Sequence, residues 1–176
     1  MDKDLPKRKS TRLKGADYST RGAYFVTICV KDRRPILSDI IVEKYNDLSN
    51  ENTYQKTCIN LTQIGEKVQK NLLSCEKIPG VYIDRYVIMP DHIHAIIVLT
   101  NRFDGVDGER VVEAPTPTNA ILPRVISAFK RLCTKEIGYN IFQRGYYDHI
   151  IRDKEDYETR TKYVYENPLK WYYEHR

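Results

Sequence analysis

Two histidines separated by one residue, His92 and His94, are the side chains in this chain best suited to chemistry. They open a run rich in Ile and Val, residues 92–99, whose composition predicts a β-strand. In a strand, residues i and i+2 point to the same face, so the two imidazoles project side by side. That arrangement suits the binding of one metal ion, and a metal ion beside a phosphate is a catalyst of its transfer.

Spacing alone leaves open the alternative that both histidines are packing residues, because a two-residue pattern is short and arises by chance. One enzyme class is excluded. Nucleotide hydrolases of the histidine-triad kind use three alternating histidines, whereas the third alternate position here is Ile96.

A helix is predicted near the end of the chain, with Asp153 as its N-cap. Glu155 and Asp156 in its first turn complement the helix dipole. We predict that the helix ends at Asn167-Pro168, because a residue that precedes proline is pushed out of the helical region.

Rotation by 100° per residue divides this helix into faces. The stripe assigned to the core consists of Tyr157, Thr161 and Val164. Tyr163 and Asn167 lie together on one flank, one turn apart, whereas Tyr165 falls on the opposite flank. The helix therefore presents one phenol beside one amide.

The Asn167 amide oxygen is a hard ligand of the kind that binds Mg²⁺ or Mn²⁺, and it is our candidate for a third ligand beside His92 and His94. The Tyr163 phenol would lie within reach of whatever the metal holds. A neutral tyrosine is a poor nucleophile, since its reference pKa is about 10. A metal that polarises a phosphate would lower the barrier to attack.

The remaining pattern predicts an α+β protein with an antiparallel sheet. The predicted strands are residues 22–30, 81–89, 92–99 and 146–152, and the other predicted helices are residues 36–48, 61–73 and 121–137. Residues 101–118 contain Asp-Gly twice and Pro-Thr-Pro, which indicates a loop.

Size and composition indicate one globular domain, since the chain has 176 residues, of which 41% are hydrophobic and 30% charged. No apolar run is long enough to span a membrane, and the N-terminus has no apolar signal segment. The four cysteines lack Cys-x-x-Cys spacing and are interpreted as reduced thiols. We therefore expect a cytoplasmic protein with no membrane partner.

The formal net charge is +5, and the basic residues form two clusters. The first cluster makes residues 1–17 a basic arm and comprises Lys7, Arg8, Lys9, Arg12 and Lys14. The second lies on the predicted helix 121–137 and includes Arg124, Lys130, Arg131 and Lys135. Such clusters bind polyanions such as nucleic acid, although each alone is also typical of a solvated face.

Five segments together resemble the IS200-type single-stranded DNA transposases that use one catalytic tyrosine, and above all their REP-associated tyrosine transposase branch. Residues 86–94 resemble the family's His-hydrophobic-His motif, with Asp91 where Asn is more frequent. Residues 142–152 resemble its Trp-Gln…His-Ile-Arg block, with Phe142 in place of Trp. The other matching segments are residues 18–33, 129–130 and 163–171.

The resemblance implies a ferredoxin-like antiparallel sheet flanked by helices, as in HUH endonucleases, for residues 18–176, and a homodimer. It implies that Tyr163 attacks a DNA phosphate and leaves a 5′-phosphotyrosine and a free 3′-OH. His92, His94 and Asn167 would hold Mg²⁺ or Mn²⁺, and the substrate would be single-stranded DNA with hairpins. Besides the arm, Lys130, Arg131 and Arg152 would bind DNA.

Two other functions are compatible with these residues. The first is a domesticated, non-catalytic binder of structured single-stranded nucleic acid, although such a binder need not keep both histidines, Tyr163 and Asn167. The second is a metal-dependent phosphoesterase that does not form a covalent tyrosine adduct.

Overall fold

The computed structural model describes residues 22–46, 53–100 and 121–175. The strands are β1 (Gly22–Cys29), β2 (Ser38–Asn46), β3 (Thr53–Leu61), β4 (Val81–Ile88), β5 (His92–Leu99) and β6 (Tyr147–Ile151). The α-helices are α1 (Gln63–Leu73), α2 (Ile121–Ile137) and α3 (Lys154–Glu174). The predicted basic arm and the predicted loop 101–118 lie outside the described residues.

Four of the strands form one antiparallel sheet in the order β4-β5-β1-β6. Along the chain, α1 separates the first and second strands of this sheet, and α2 separates the third and fourth. This order confirms the ferredoxin-like antiparallel sheet expected from the resemblance. The other two strands, β2 and β3, form a separate two-stranded ribbon.

Helices cover both faces of the sheet, which explains why β5 is hydrophobic along nearly its whole length. Ile93, Ala95 and Ile97 belong to a core shared with α1 and α2. Ile96 belongs to a second core with Val164 of α3. Because side chains alternate across a strand, His92 and His94 share the face of Ile96 and point towards α3.

The helix predicted for residues 36–48 is wrong, because residues 38–46 form the strand β2, which pairs with β3 along its whole length. Residues 40–42 are Ile-Ile-Val, and β-branched side chains favour an extended backbone. Ile40 is buried and Ile41 is 44% exposed, which is the alternation of a strand with one packed face. The partner strand β3 was not predicted, since it is largely polar and buries little.

The predicted end of the last helix at Asn167-Pro168 is also wrong, because α3 continues through Pro168 to Glu174. A proline inside a helix costs about 3 kcal/mol. Trp171 and Tyr172 in the following turn pack against the core that contains Val164. Their partial burial offsets part of this cost, since full burial of a large apolar side chain contributes about 1.5–3 kcal/mol. No helix among the described residues is long and apolar enough to cross a membrane.

The first turn of α1 packs so closely on the chain before β2 that only glycine fits at position 65. Thr62 caps the helix, since its Oγ1 accepts a hydrogen bond from the Gly65 amide at 3.0 Å and donates to the Ile36 carbonyl at 2.7 Å. A Cβ atom added to Gly65 would lie 1.9 Å from the Leu37 carbonyl oxygen. The backbone must therefore move if any side chain is introduced.

We expect Gly65→Ala to destabilise the fold by about 1–3 kcal/mol in urea unfolding, because it overpacks a buried contact. At a helix position with free space around it, a change from glycine to alanine would stabilise the fold by about 1 kcal/mol. The sign of the change in the free energy of unfolding therefore distinguishes the two cases. The control is Gln63→Ala at an exposed position of the same turn, with a change within about 0.5 kcal/mol. A Gly65→Ala protein as stable as the wild type would show that α1 does not pack this closely.

Candidate active site

The imidazoles of His92 and His94 lie side by side at the beginning of β5. Their Nε2 atoms lie 2.9 Å apart, and their ring centroids lie 4.5 Å apart. Both side chains are buried, with 7% and 4% of their surface exposed. The two adjacent nitrogens therefore form one compact pair of donors.

The opposite nitrogen of each ring has its own partner, which orients the ring. His92 Nδ1 forms a hydrogen bond with the Asp91 carboxylate. His94 Nδ1 lies 2.9 Å from Oγ1 of Thr27, its neighbour across the β1–β5 pairing. Such contacts fix the tautomer of an imidazole and turn the other nitrogen towards a ligand.

Burial and nearby charges affect the pKa values of His94 and Asp91. Burial, together with the charges of His92 and Arg33, lowers the pKa of His94 to about 3, so its ring is neutral at physiological pH. Burial alone would raise the pKa of Asp91, but the hydrogen bond with His92 and the charge of Arg33 hold that pKa below its ordinary value. His94 is thus held neutral, and His92 is the ring that a carboxylate backs, as it often does in metal-binding histidines.

The histidine pair fits one divalent metal ion. Two nitrogens bound at about 2.1 Å and at a right angle to one ion would lie about 3.0 Å apart, close to the observed separation. Among the described residues, no group of three or more His, Cys, Asp or Glu side chains could hold a metal. Further ligands would have to be of another chemical type, such as an amide oxygen, a phosphate oxygen or water.

Tyr163 and Asn167 of α3 line the same cleft as the two histidines. The Tyr163 ring packs edge-on against His94 and against Phe25 of β1, with centroid distances of 5.1 Å and 5.8 Å. Tyr163 is nevertheless 43% exposed, whereas Asn167 is buried. The cleft is open and has a volume of about 530 Å³. The structure therefore brings together all four residues that the sequence singled out for chemistry.

Two cationic side chains that the sequence analysis missed, Arg33 and Arg160, also line this cleft. Arg33 Nε lies 3.5 Å from Asp91 Oδ2, which links it to the histidine pair. Asp32 and Arg33 both have left-handed backbones, with φ of 58° and 53°, an uncommon conformation for residues with side chains. A turn of this kind after β1 cannot be read from these residue types, and strain of this kind clusters at functional sites.

Other residues around the cleft come from the turns of α3 beyond Pro168. They are Lys170, Trp171, Glu174 and His175. The Trp171 and His175 rings are stacked, with centroids 4.2 Å apart. This wall was not predicted from the sequence, because the helix was expected to end at Asn167-Pro168.

The predicted DNA-binding residues lie apart from the cleft or outside the described residues. Lys7, Arg8, Lys9, Arg12 and Lys14 belong to the part of the chain that the structure does not describe. Lys130 Nζ donates to the carbonyls of Gln143 and Gly145 at 2.7 Å and 2.8 Å, and burial lowers the pKa of Lys130 to about 8. Arg131 and Arg152 are exposed. Their contacts with DNA stay predictions.

Asp156 in the first turn of α3 is the centre of an ion-pair cluster beside the cleft. Its Oδ2 lies 2.7 Å from His149 Nε2, and its Oδ1 lies 3.2 Å from Arg160 Nε. Desolvation alone would raise the pKa of Asp156, but the hydrogen bonds from His149, Arg160 and the Arg152 amide lower it. A carboxylate whose pKa is depressed on folding stabilises the fold above its unfolded pKa of about 3.9.

We therefore expect Asp156→Asn to be less stable than the wild type by about 1 kcal/mol at pH 7. The difference should disappear as the pH falls through the depressed pKa of the folded state, because both proteins then carry a neutral side chain. Urea unfolding at pH 7 and at several pH values below 4 measures this. Glu158→Gln is the control, since Glu158 is exposed and pairs only loosely with Lys154. A difference that does not depend on pH would contradict the assignment.

Comparison with known proteins finds two relatives of this chain in one organism. The chain is 33% identical, over 93% of its length and 89% of the relative's, to a Haemophilus influenzae protein described only as uncharacterized. It is 28% identical, over 88% of its length and 74% of the relative's, to a second protein of that organism with the provisional name REP-associated tyrosine transposase. No protein-family model matches the chain.

The fold is shared with a solved structure of a REP-associated tyrosine transposase bound to a REP hairpin. The TM-score is 0.57, the identity is 20%, and the match covers 90% of this chain and 74% of that one. The relatives, the shared fold and the resemblance of the motifs at His92, His94 and Tyr163 agree. In sequence and in fold, the chain is therefore similar to REP-associated tyrosine transposases.

Proposed function

We propose that this protein is a metal-dependent endonuclease and strand transferase of single-stranded DNA, with Tyr163 as its nucleophile. One observation carries the proposal. The exposed ring of Tyr163 packs at 5.1 Å from His94, whose Nε2 atom lies 2.9 Å from that of His92. A phenol and a pair of nitrogen donors therefore share one open cleft, which supports the metal-assisted transfer of a DNA phosphate to tyrosine.

In the proposed step, the Tyr163 Oη attacks a phosphodiester phosphorus. A tyrosine–phosphorus bond forms, the bond from phosphorus to the 3′-oxygen breaks, and the strand is left with a 5′-phosphotyrosine and a free 3′-OH. The phenol proton passes through solvent to the departing 3′-oxygen. No phosphodiester energy is lost, so a 3′-OH can reverse the reaction and rejoin strands without a nucleotide cofactor.

His92, His94 and Asn167 are the residues that would hold Mg²⁺ or Mn²⁺. The ion would supply Lewis-acid polarisation of the phosphate, worth several kcal/mol of transition-state stabilisation. Asp91 and Thr27 orient the two imidazoles. The ring of Tyr163 packs against Phe25 of β1 and His94 of β5, which limits the conformations from which it would attack.

We propose that the substrate is single-stranded DNA that carries a hairpin. The related protein of known structure is bound to a REP hairpin, and the cleft of this chain has the basic side chains Arg33, Arg160 and Lys170. An open cleft with basic side chains suits an unpaired strand, because positive charges follow its phosphate backbone. A homodimer stays a prediction from the resemblance.

The test is incubation of the protein with labelled single-stranded hairpin DNA from the neighbourhood of its own gene, with Mg²⁺ or Mn²⁺, followed by a denaturing gel. We expect a slowly migrating protein–DNA adduct that is absent in EDTA. Cleavage without an adduct would favour the phosphoesterase. Binding without cleavage of any hairpin tested would favour the non-catalytic binder.

A further inference from the structure

Arg160 stands one turn before Tyr163 on α3, in the wall of the cleft. Residues three apart on a helix are neighbours, with Cβ atoms about 5–6 Å apart. The guanidinium carbon of Arg160 lies 5.7 Å from the ring centroid of Phe25, the same ring that packs against Tyr163. The cation and the phenol therefore share one aromatic neighbour on the face of the sheet that holds the histidines.

Other side chains hold the guanidinium in place. Its Nε lies 3.2 Å from Asp156 Oδ1, and one terminal nitrogen, Nη2, lies 3.4 Å from His149 Nε2. Asp156 is held in turn, because its Oδ2 accepts a hydrogen bond from the Arg152 amide at 3.3 Å and contacts His149. The side chain of Arg160 is 30% exposed. Because these contacts already hold it in one conformation, the binding of a ligand would cost little further side-chain entropy.

One edge of the guanidinium thus faces the Asp156 cluster. The other terminal nitrogen, Nη1, has no hydrogen bond to any of the residues that the structure describes. The planar guanidinium suits a hydrogen bond to a phosphate oxygen, and arginine keeps its charge at every relevant pH. An arginine that is fixed on one side and open on the other is suited to stabilise charge on a transferring phosphate.

We propose that Arg160 is a catalytic residue that donates from Nη1 to a non-bridging oxygen of the phosphate attacked by Tyr163. This inference rests on the function proposed above and adds a positive charge supplied by the protein to the one supplied by the metal. Negative charge develops on the non-bridging oxygens as the phosphorus is attacked. The guanidinium would stabilise the charge on one of these oxygens.

The test compares wild type and Arg160→Ala on two hairpin substrates that differ only at the scissile linkage. On the natural phosphodiester we expect Arg160→Ala to lower the rate of adduct formation by about 100-fold, with hairpin affinity nearly unchanged. The second substrate carries a methylphosphonate, in which one non-bridging oxygen is replaced by an uncharged methyl group. On one of its two diastereomers, Arg160→Ala should react within about tenfold of the wild type, because the charge it would neutralise is gone.

Two further variants separate chemistry from structure. Arg160→Lys keeps the charge without the planar fork and should recover part of the rate on the natural substrate. Lys162→Ala removes an exposed cation from the turn that carries Tyr163 and should leave the rates on both substrates unchanged.

The outcomes are distinguishable. If wild-type protein forms no adduct, the proposed function fails. If wild type forms the adduct but Arg160→Ala is equally impaired on the phosphodiester and on both methylphosphonates, Arg160 is a structural residue and this inference is wrong. If Arg160→Ala cleaves the natural substrate at the wild-type rate, the inference is also wrong.

Discussion

Tyr163→Phe is expected to abolish the covalent protein–DNA adduct while leaving the affinity for hairpin DNA within about twofold of the wild type. The change removes only the hydroxyl, so the ring keeps its packing against His94 and Phe25. Loss of the nucleophile removes the route through a covalent intermediate altogether. The adduct is measured on a denaturing gel and the affinity by titration without metal, where binding proceeds without cleavage.

The matched control for this prediction is Tyr165→Phe. Tyr165 lies two residues away on the same helix, is 66% exposed, and does not line the cleft. Its variant should form the adduct at the wild-type rate. An undiminished adduct in Tyr163→Phe, or its loss in Tyr165→Phe, would assign the nucleophile to another residue.

His94→Ala is expected to remove cleavage together with the response to metal. The side chain supplies one of two nitrogens that lie 2.9 Å apart, and its loss leaves His92 as a single donor. Loss of a residue that only orients a metal ligand typically lowers the affinity for the metal by about 10–100-fold. Loss of the ligand itself should therefore lower the affinity for Mn²⁺ by at least about 100-fold. Titration of Mn²⁺ into the folded protein measures this without reference to activity. His92→Ala should behave in the same way.

Folding must be checked separately, since the His94 ring also stacks on Phe25 at 5.2 Å. A melting curve without metal shows whether the variant retains the fold. His94→Gln keeps a polar side chain of similar length and serves as a second variant. Metal-stimulated cleavage that survives in folded His94→Ala, or wild-type cleavage that survives in EDTA, would contradict the metal site.

Much of the fold could be predicted from local patterns. The strand β5 and the helix α2 have the predicted bounds because β5 is a continuous apolar run, α2 has strong helical periodicity, and nearby residues mark their ends. The ribbon of β2 and β3 could not be predicted in this way. It buries few side chains, so its sequence has little periodicity, and the pairing partner rather than the local composition determines its conformation.

The chemistry of the site was likewise visible only where it is local in sequence. The alternation of β5 places His92 with His94, and the rotation of α3 places Tyr163 with Asn167. Thr27 reaches His94 through the register between β1 and β5, and Arg160 reaches the cleft where α3 packs on Phe25 of β1. Such contacts depend on tertiary packing, which spacing along one element does not reveal.

The most direct test of Tyr163 as the nucleophile is the position of the covalent bond. The adduct is formed with hairpin DNA, digested with nuclease and trypsin, and its peptide sequenced by mass spectrometry. Cleavage after Lys162 and Lys170 yields the peptide of residues 163–170, which contains both Tyr163 and Tyr165. We expect the fragment ions to place the phosphate-linked nucleotide on Tyr163. A nucleotide on Tyr165 or on any other residue would contradict the proposed mechanism.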